Sequence, residues 1–249
     1  MRIFVGTLAC GEAELDDCRQ AVARQTGVQV RQLVIENRPE LEAHNALWDA
    51  WNAERHQHDL FVKVDADTVL MRDTALAEIG GLFEDPDVTG AQILLQDYFT
   101  DNLIAGLNSF SGAVKFHRSN DRLFTDRVDY GHVKVMKGPP VAHLAPIGWH
   151  CLRPHARQAF HFGLHRALKK QNDVIGRVAE VWLRERDDAR GWALAGAASA
   201  GFRFNARFDY SDKNFERKFD SLNDPARRAD LIEHFARRVA LRSRGKVSP

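Results

Sequence analysis

The order of the first 95 residues constrains this chain most: short apolar runs alternate there with segments of helical period. Residues 2–8 (RIFVGTL) read as a buried strand, apolar and β-branched, ended by Ala9-Cys10-Gly11. Residues 13–26 read as a helix. Glu14, Asp16 and Asp17 sit in its first turn, Leu15, Cys18 and Val22 share a face, and Gly27 follows its end. Residues 29–35 (QVRQLVI) form a second strand, and residues 39–54 a second helix opening at Pro39, with Leu41, Asn45, Trp48 and Trp51 on one face. A third strand at 60–64 (LFVKV) runs straight into Asp65-Ala66-Asp67. A helix near 73–84, with Asp73 as N-cap, and a strand at 88–95 follow. Such β-α alternation predicts an α/β fold, with a mostly parallel central sheet flanked by helices on both faces. In such sheets the ligand crevice lies outside the carboxyl ends of the strands, where the two acids fall.

Beyond residue 96 the pattern loosens. Residues 113–117 (AVKFH) and 132–136 (HVKVM) read as strands, and 138–154, rich in Gly, Pro and His, as a loop. Residues 155–170 and 173–186 read as helices, and the Ala/Gly-rich stretch 191–204 fits either state. Residues 224–244 form a last helix, with Asp224 as N-cap and Pro225 at its first position. With 249 residues, 44% of them hydrophobic, the chain is long enough to bury one large α/β domain. A formal net charge of +1 gives no argument for nucleic acid. Three cysteines without a C-x-x-C pair argue against a disulfide framework and for a reducing compartment. No signal peptide or membrane-spanning run is read, so a cytoplasmic setting is expected.

Two carboxylates one residue apart at the end of an apolar strand repel each other unless a cation meets them. Strand geometry lets Asp65 and Asp67 face the same way, and a hard divalent ion with oxygen ligands resolves the repulsion. Such an ion also neutralises a diphosphate, whether as ligand or as leaving group.

In this context the first hundred residues resemble the nucleotide-binding half of family-2-like GT-A glycosyltransferases. The resemblance is carried by IFVGTLACGE, QTGVQVRQLVIEN, HNALWDAW and LFVKVDADTVL. It implies a GT-A fold with a helical C-terminal part. The domains it implies are 1–224 catalytic (1–100 nucleotide-binding, 101–224 acceptor side) and 225–249 a basic C-terminal helix and tail. It implies transfer of a sugar from a nucleoside-diphosphate sugar, UDP-sugars favoured, to a saccharide or lipid-linked acceptor, as in surface polysaccharide or glycoconjugate synthesis. Thr7 and Glu12 match the loop after the first strand, Glu36 the acidic position used toward the base, and Asn45 the helix Asn. Lys63 and Asp65 fall beside the nucleotide, and Asp67 matches the direct metal ligand. The second strand departs from the family by ending in Glu36-Asn37-Arg38, where paired acids and a small residue are more usual, so the base is not specified.

Family members often add a His from a C-terminal loop. His143, His150, His155, His161 and His165 are candidates, and His150 in GWHC is preferred because a Gly-Trp turn can set it over the sheet edge. Imidazole with the carboxylates of Asp65 and Asp67 suits Mn²⁺ better than Mg²⁺. For the acceptor base, Asp97, Asp101, Asp121, Asp126 and Asp129 lie in the right half of the chain; Asp129 and Asp97 are selected. Residues 108–112 (NSFSG) read as an acceptor-side loop, with Gly112 open to a sugar and Trp149 able to stack on one. The basic, amphipathic stretch after residue 225 fits either peripheral contact with an anionic membrane or a docked helix with a solvated basic face. The motif VKVDADTVL also resembles that of haloacid-dehalogenase-type phosphohydrolases, with Asp65 as nucleophile. There, however, the motif follows the first strand, and here two β-α units precede it. A third possibility is a domain that binds nucleotide-sugar without catalysis.

Overall fold

The computed structural model describes residues 1–126, 133–200, 210 and 212–244, with 242–244 by backbone alone. The chain divides into two compact units, residues 1–98 with 102–153 and residues 99–101 with 154–249. The sequence placed its boundary at 224.

The first unit holds the sheet. The expected alternation is present as β1 (Arg2–Ala9), α1 (Leu15–Ala23), β2 (Gln29–Glu36), α2 (Glu40–Glu54), β3 (Leu60–Lys63), β4 (Thr68–Leu70), α3 (Ala75–Gly81) and β5 (Gly90–Asp97). β6 (Asn102–Ser111), β7 (Val135–Met136) and β8 (Gly148–His150) complete it. The strand order is β2-β1-β3-β6-β5-β8-β4, with β7 on β5. β1 pairs in parallel with β2 and β3, and β5 with β7 and β8. β6 runs antiparallel to β3 and β5, and β4 antiparallel to β8. The sheet is therefore mixed and mostly parallel.

Alternation along the strands sorts the core onto two faces. Ile3, Val5, Leu60 and Val62 pack with Cys18 and Val22 of α1 and Leu76 and Ile79 of α3. Phe4 and Phe61 pack on the other side with Leu47, Trp48 and Trp51 of α2. The Trp51 Nε1–H donates to Val114 O at 2.9 Å, so this fully buried ring has its polar group met.

Several expectations are corrected. Residues 108–112 are not an acceptor loop: 102–111 form β6, wedged between β3 and β5. A Cβ on Gly112 would stand 2.5 Å from His58 O, so this glycine admits neighbouring backbone and not a sugar. Residues 113–117 form no strand, and of the strand read at 132–136 residue 132 lies outside the described residues while only Val135–Met136 of the rest form β7. Within 138–154, β8 was missed.

The second unit is helical, with α4 (Ala156–Leu168), α5 (Asn172–Glu185), α6 (Asp188–Ser199), α7 (Lys213–Asp220) and α8 (Pro225–Arg244). Of the ambiguous Ala/Gly stretch 191–204, residues 191–199 belong to α6, capped by Asp187 accepting from the Arg190 N–H, and 201–204 lie outside the described residues. Ile232, Ala236 and Ala240 of α8 are buried, Arg228 lies over the Trp192 ring, and Glu233 pairs with Arg186 and Arg237. The apolar stripe of α8 is thus covered by its own unit, and the basic side faces solvent. No described helix is long and apolar enough to cross a membrane.

Candidate metal centre

β3 ends at Lys63, and the chain then bends through Val64–Asp67, with Thr68 N–H donating to Asp65 O at 2.8 Å. The bend returns it as β4, whose Thr68 lies opposite His150 of β8. On its other side β8 sets His150 opposite Asp97, the last residue of β5. Thr68, His150 and Asp97 thus form one row across three strands, and Asp67 stands one residue before that row. The register closes with Cys151 N–H donating to Asp67 O at 2.8 Å. β8 approaches β4 this closely because Gly148 has no side chain: a Cβ there would lie 2.8 Å from Val69 O.

Asp67, His150 and Cys151 bring one oxygen, one nitrogen and one sulfur within 4.8 Å of one another. The Cys151 thiol donates to Asp67 Oδ2 at 3.1 Å. His150 Nε2 stands 3.7 Å from Asp67 Oδ2 and 3.7 Å from Cys151 Sγ. His150 Nδ1 meets Asp97 Oδ1 at 2.6 Å, and the Asp97 side chain is 0% exposed. With Asp97 ionised its carboxylate can only accept, which puts the proton on Nδ1 and turns the Nε2 lone pair toward Asp67 and Cys151. Carboxylate-imidazole pairs of this kind orient metal-binding histidines. Asp67 Oδ1 is buried and has no hydrogen-bond partner. A buried carboxylate oxygen left unmet is costly, and a cation satisfies it. The donors therefore fit a divalent ion.

Electrostatics around the cluster are dominated by crowded acids. Burial, reinforced by the charge of Asp67, pushes the Glu12 carboxyl up to about 7, while Glu12 Oε2 accepts the Cys10 N–H at 2.6 Å. Burial pushes the Cys151 thiol well above its ordinary range, with Asp67 and Asp97 adding to the effect. Buried Glu14 accepts the Arg153 N–H at 2.6 Å and so ties the turn after Cys151 to the loop before α1.

The remaining sequence candidates fall as follows. Asp65 is not in the donor cluster: its Oδ1 is paired with the Lys63 ammonium. Burial alone would raise the Asp65 carboxyl, but Lys63 overrides it and holds it below the usual carboxylate range. Thr7 is buried and accepts from Gln32 Nε2 at 3.0 Å, so its hydroxyl joins β1 to β2. Glu36 is exposed at the end of β2 and paired with Arg19. Asn45 spends both ends of its amide on Ser119, donating to its carbonyl at 3.0 Å and accepting its N–H at 2.7 Å. The Thr7 and Asn45 side chains are thus both tied to neighbouring protein groups. Asp97, selected as an acceptor base, is enclosed against His150 and presents no surface to an acceptor. Asp129 lies outside the described residues. Trp149 is 38% exposed. Sequence reasoning missed Cys151, although it follows His150 directly. It also missed the contact of Asp97 with His150, although an acid ending the apolar run ILLQD gives the same signal as Asp65 and Asp67.

Fold and site together define an α/β protein with a candidate divalent-cation centre at the carboxyl ends of its strands. The chain matches no protein-family model and no curated protein. Among solved structures it is similar to the mannosyltransferase PcManGT from Pyrobaculum calidifontis in complex with GDP-Man and Mn²⁺. Identity is 13%, covering 98% of this chain and 88% of that one, with a TM-score of 0.41.

Proposed function

We propose that the chain is a metal-dependent glycosyltransferase that binds a nucleoside-diphosphate sugar through a divalent cation held by Asp67 and His150. The observation that carries this reading is the meeting of Asp67, with its buried unmet oxygen, and His150, aimed by Asp97, at the carboxyl ends of the strands. When bound, the cation supplies positive charge to the diphosphate, which must leave as an anion. The chain's own residues do the rest. Asp67 and His150 hold the cation, and Asp97 fixes the imidazole tautomer. Asp65, tethered by Lys63, stands two residues back along the same strand edge and is assigned to the ribose side of the donor. Glu12, whose carboxyl is pushed up to about 7 and is therefore about half ionised at pH 7, limits the negative charge that Asp67 sees. Asp129 remains the candidate base toward a saccharide or lipid-linked acceptor.

Thermal unfolding with a divalent cation and a panel of UDP-, GDP- and dTDP-sugars tests the reading. A ligand at about 100 times its Kd adds roughly 2.7 kcal/mol to stability. The expected result is a rise with one nucleotide class that requires the cation and disappears in Asp67→Ala. Stabilisation by Mg²⁺ with a phosphate mimic, and by no nucleotide-sugar, would favour a phosphohydrolase using Asp65 instead.

A further inference from the structure

We propose that Cys151 is a third ligand of the cation centre, and that its sulfur makes the centre select a thiophilic ion, Zn²⁺, over Mn²⁺ or Mg²⁺. This rests on Asp67 and His150 holding a cation, and not on the reaction that follows.

Three observations converge. The first is spacing. In a tetrahedral site with metal-ligand bonds of about 2.0–2.3 Å, ligand atoms lie roughly 3.3–3.8 Å apart. The three separations here are 3.1, 3.7 and 3.7 Å, so little movement admits an ion. The second is backbone conformation. Cys151 has φ +54°, a left-handed conformation that a non-glycine residue holds only against a cost. Its N–H on Asp67 O and the Glu14 carboxylate on Arg153 N–H keep the chain in that turn. The turn brings Sγ beside Asp67 and His150, where an extended residue would continue the strand. The third is donor chemistry. One thiolate, one imidazole and one carboxylate form a borderline-soft set that suits Zn²⁺, whereas Mg²⁺ and Mn²⁺ prefer oxygen. Three protein ligands also leave a fourth position open, as catalytic zinc sites do. Binding displaces the thiol proton to solvent.

The test uses the full chain, stripped of metal and without nucleotide, with Co²⁺ as the spectroscopic probe and Zn²⁺ and Mn²⁺ by competition. The expected result is a sulfur-to-cobalt charge-transfer absorption in the near ultraviolet that Zn²⁺ abolishes. In Cys151→Ser this band should vanish, Zn²⁺ affinity should fall at least about tenfold, and Mn²⁺ affinity should be unchanged. Should the serine variant fail to fold, X-ray absorption on the zinc-loaded wild type reads the same point, with one sulfur at about 2.3 Å from zinc. Cobalt binding that Asp67→Ala removes, without a sulfur signature in the wild type, would overturn the ligand role of Cys151 and leave the Asp67–His150 cation site standing. A charge-transfer band that persists in Cys151→Ser would also overturn it. Absence of Zn²⁺ and Co²⁺ binding with Mn²⁺ binding retained would overturn the thiophilic site alone, and absence of all three would overturn both readings.

Discussion

Replacing Asp97 by Asn tests the contact between Asp97 and the His150 imidazole. Asp and Asn side chains are nearly isosteric, so the packing at the end of β5 is kept and only the charge is removed. In the wild type, a carboxylate with no solvent exposure accepts from His150 Nδ1 at 2.6 Å. That is a short, charge-assisted bond, stronger than a neutral one. An amide at the same place weakens the bond, and its N–H₂ face presents a donor that favours the opposite imidazole tautomer. The Nε2 lone pair is then no longer fixed toward Asp67 and Cys151. Loss of such an outer partner costs metal sites roughly 10- to 100-fold in affinity. The expected change is therefore about 1.4–2.8 kcal/mol in cation binding. The metal-free chain should lose some stability as well, because the charge-assisted bond is weakened while the imidazole stays buried. Calorimetric titration with Zn²⁺ or Mn²⁺, alongside urea unfolding of the metal-free chain, measures both. An unchanged affinity in a folded Asp97→Asn variant would refute the positioning role and reopen Asp97 to other assignments.

Further outcomes follow from packing and charge. Burial, with the nearby Lys63 charge, pushes His44 down to about 4, so the native state resists its protonation. The unfolded chain binds that proton near the ordinary value of about 6.5. The stabilisation is thus complete above that pH and is lost as pH falls toward 4, with about 2 kcal/mol gone by pH 5. In urea unfolding at pH 7 and pH 5 the wild type should lose about 2 kcal/mol relative to His44→Asn, because the raised Glu12 carboxyl acts in the opposite sense in both proteins; equal pH dependence in the two would contradict it. Gly148→Val forces β8 away from Val69 O, so cation affinity should collapse while the helical unit keeps its far-ultraviolet signal; tight binding in the variant would show that the β4–β8 approach is not what forms the site. Trp51→Ala removes a fully buried ring and its bond to Val114 O, and should cost about 3–5 kcal/mol in chemical unfolding. A cost below about 1 kcal/mol would mean the α2 face repacks.

The β-α alternation was legible because each element carries its own period. The pattern of apolar residues in IFVGTL or LFVKV needs no partner to be read, nor do the Trp48 and Trp51 positions one turn apart on α2. Strand ends were legible too, and with them the acids Asp65, Asp67 and Asp97. The antiparallel β6 was not. Its outer half, NLIAG, is exposed at most positions, and its inner half, LNSFS, carries polar side chains between two neighbouring strands. Propensity reads such a segment as a loop, and only pairing on both edges makes it a strand. β8 escaped for a similar reason: three residues hold no period, and Gly148, a weak strand former, is needed there for close approach.

The candidate centre divides along the same line. By itself the sequence determined that an acid pair would close the third strand of an α/β sheet, and that a His in the loop before residue 154 was available to it. Which acid meets the His was a tertiary decision. Asp65 is claimed by Lys63, two residues away along the same strand edge, whereas Asp67 faces residues 83 and 84 positions further along the chain. Pairing of β4 with β8, and of β8 with β5, sets that meeting. Sequence carries local periodicity and local charge, because those act within a turn or a strand. The contacts that aim His150, and that bring a buried thiol beside it, act between strands distant in the chain, and only the assembled sheet puts them within reach.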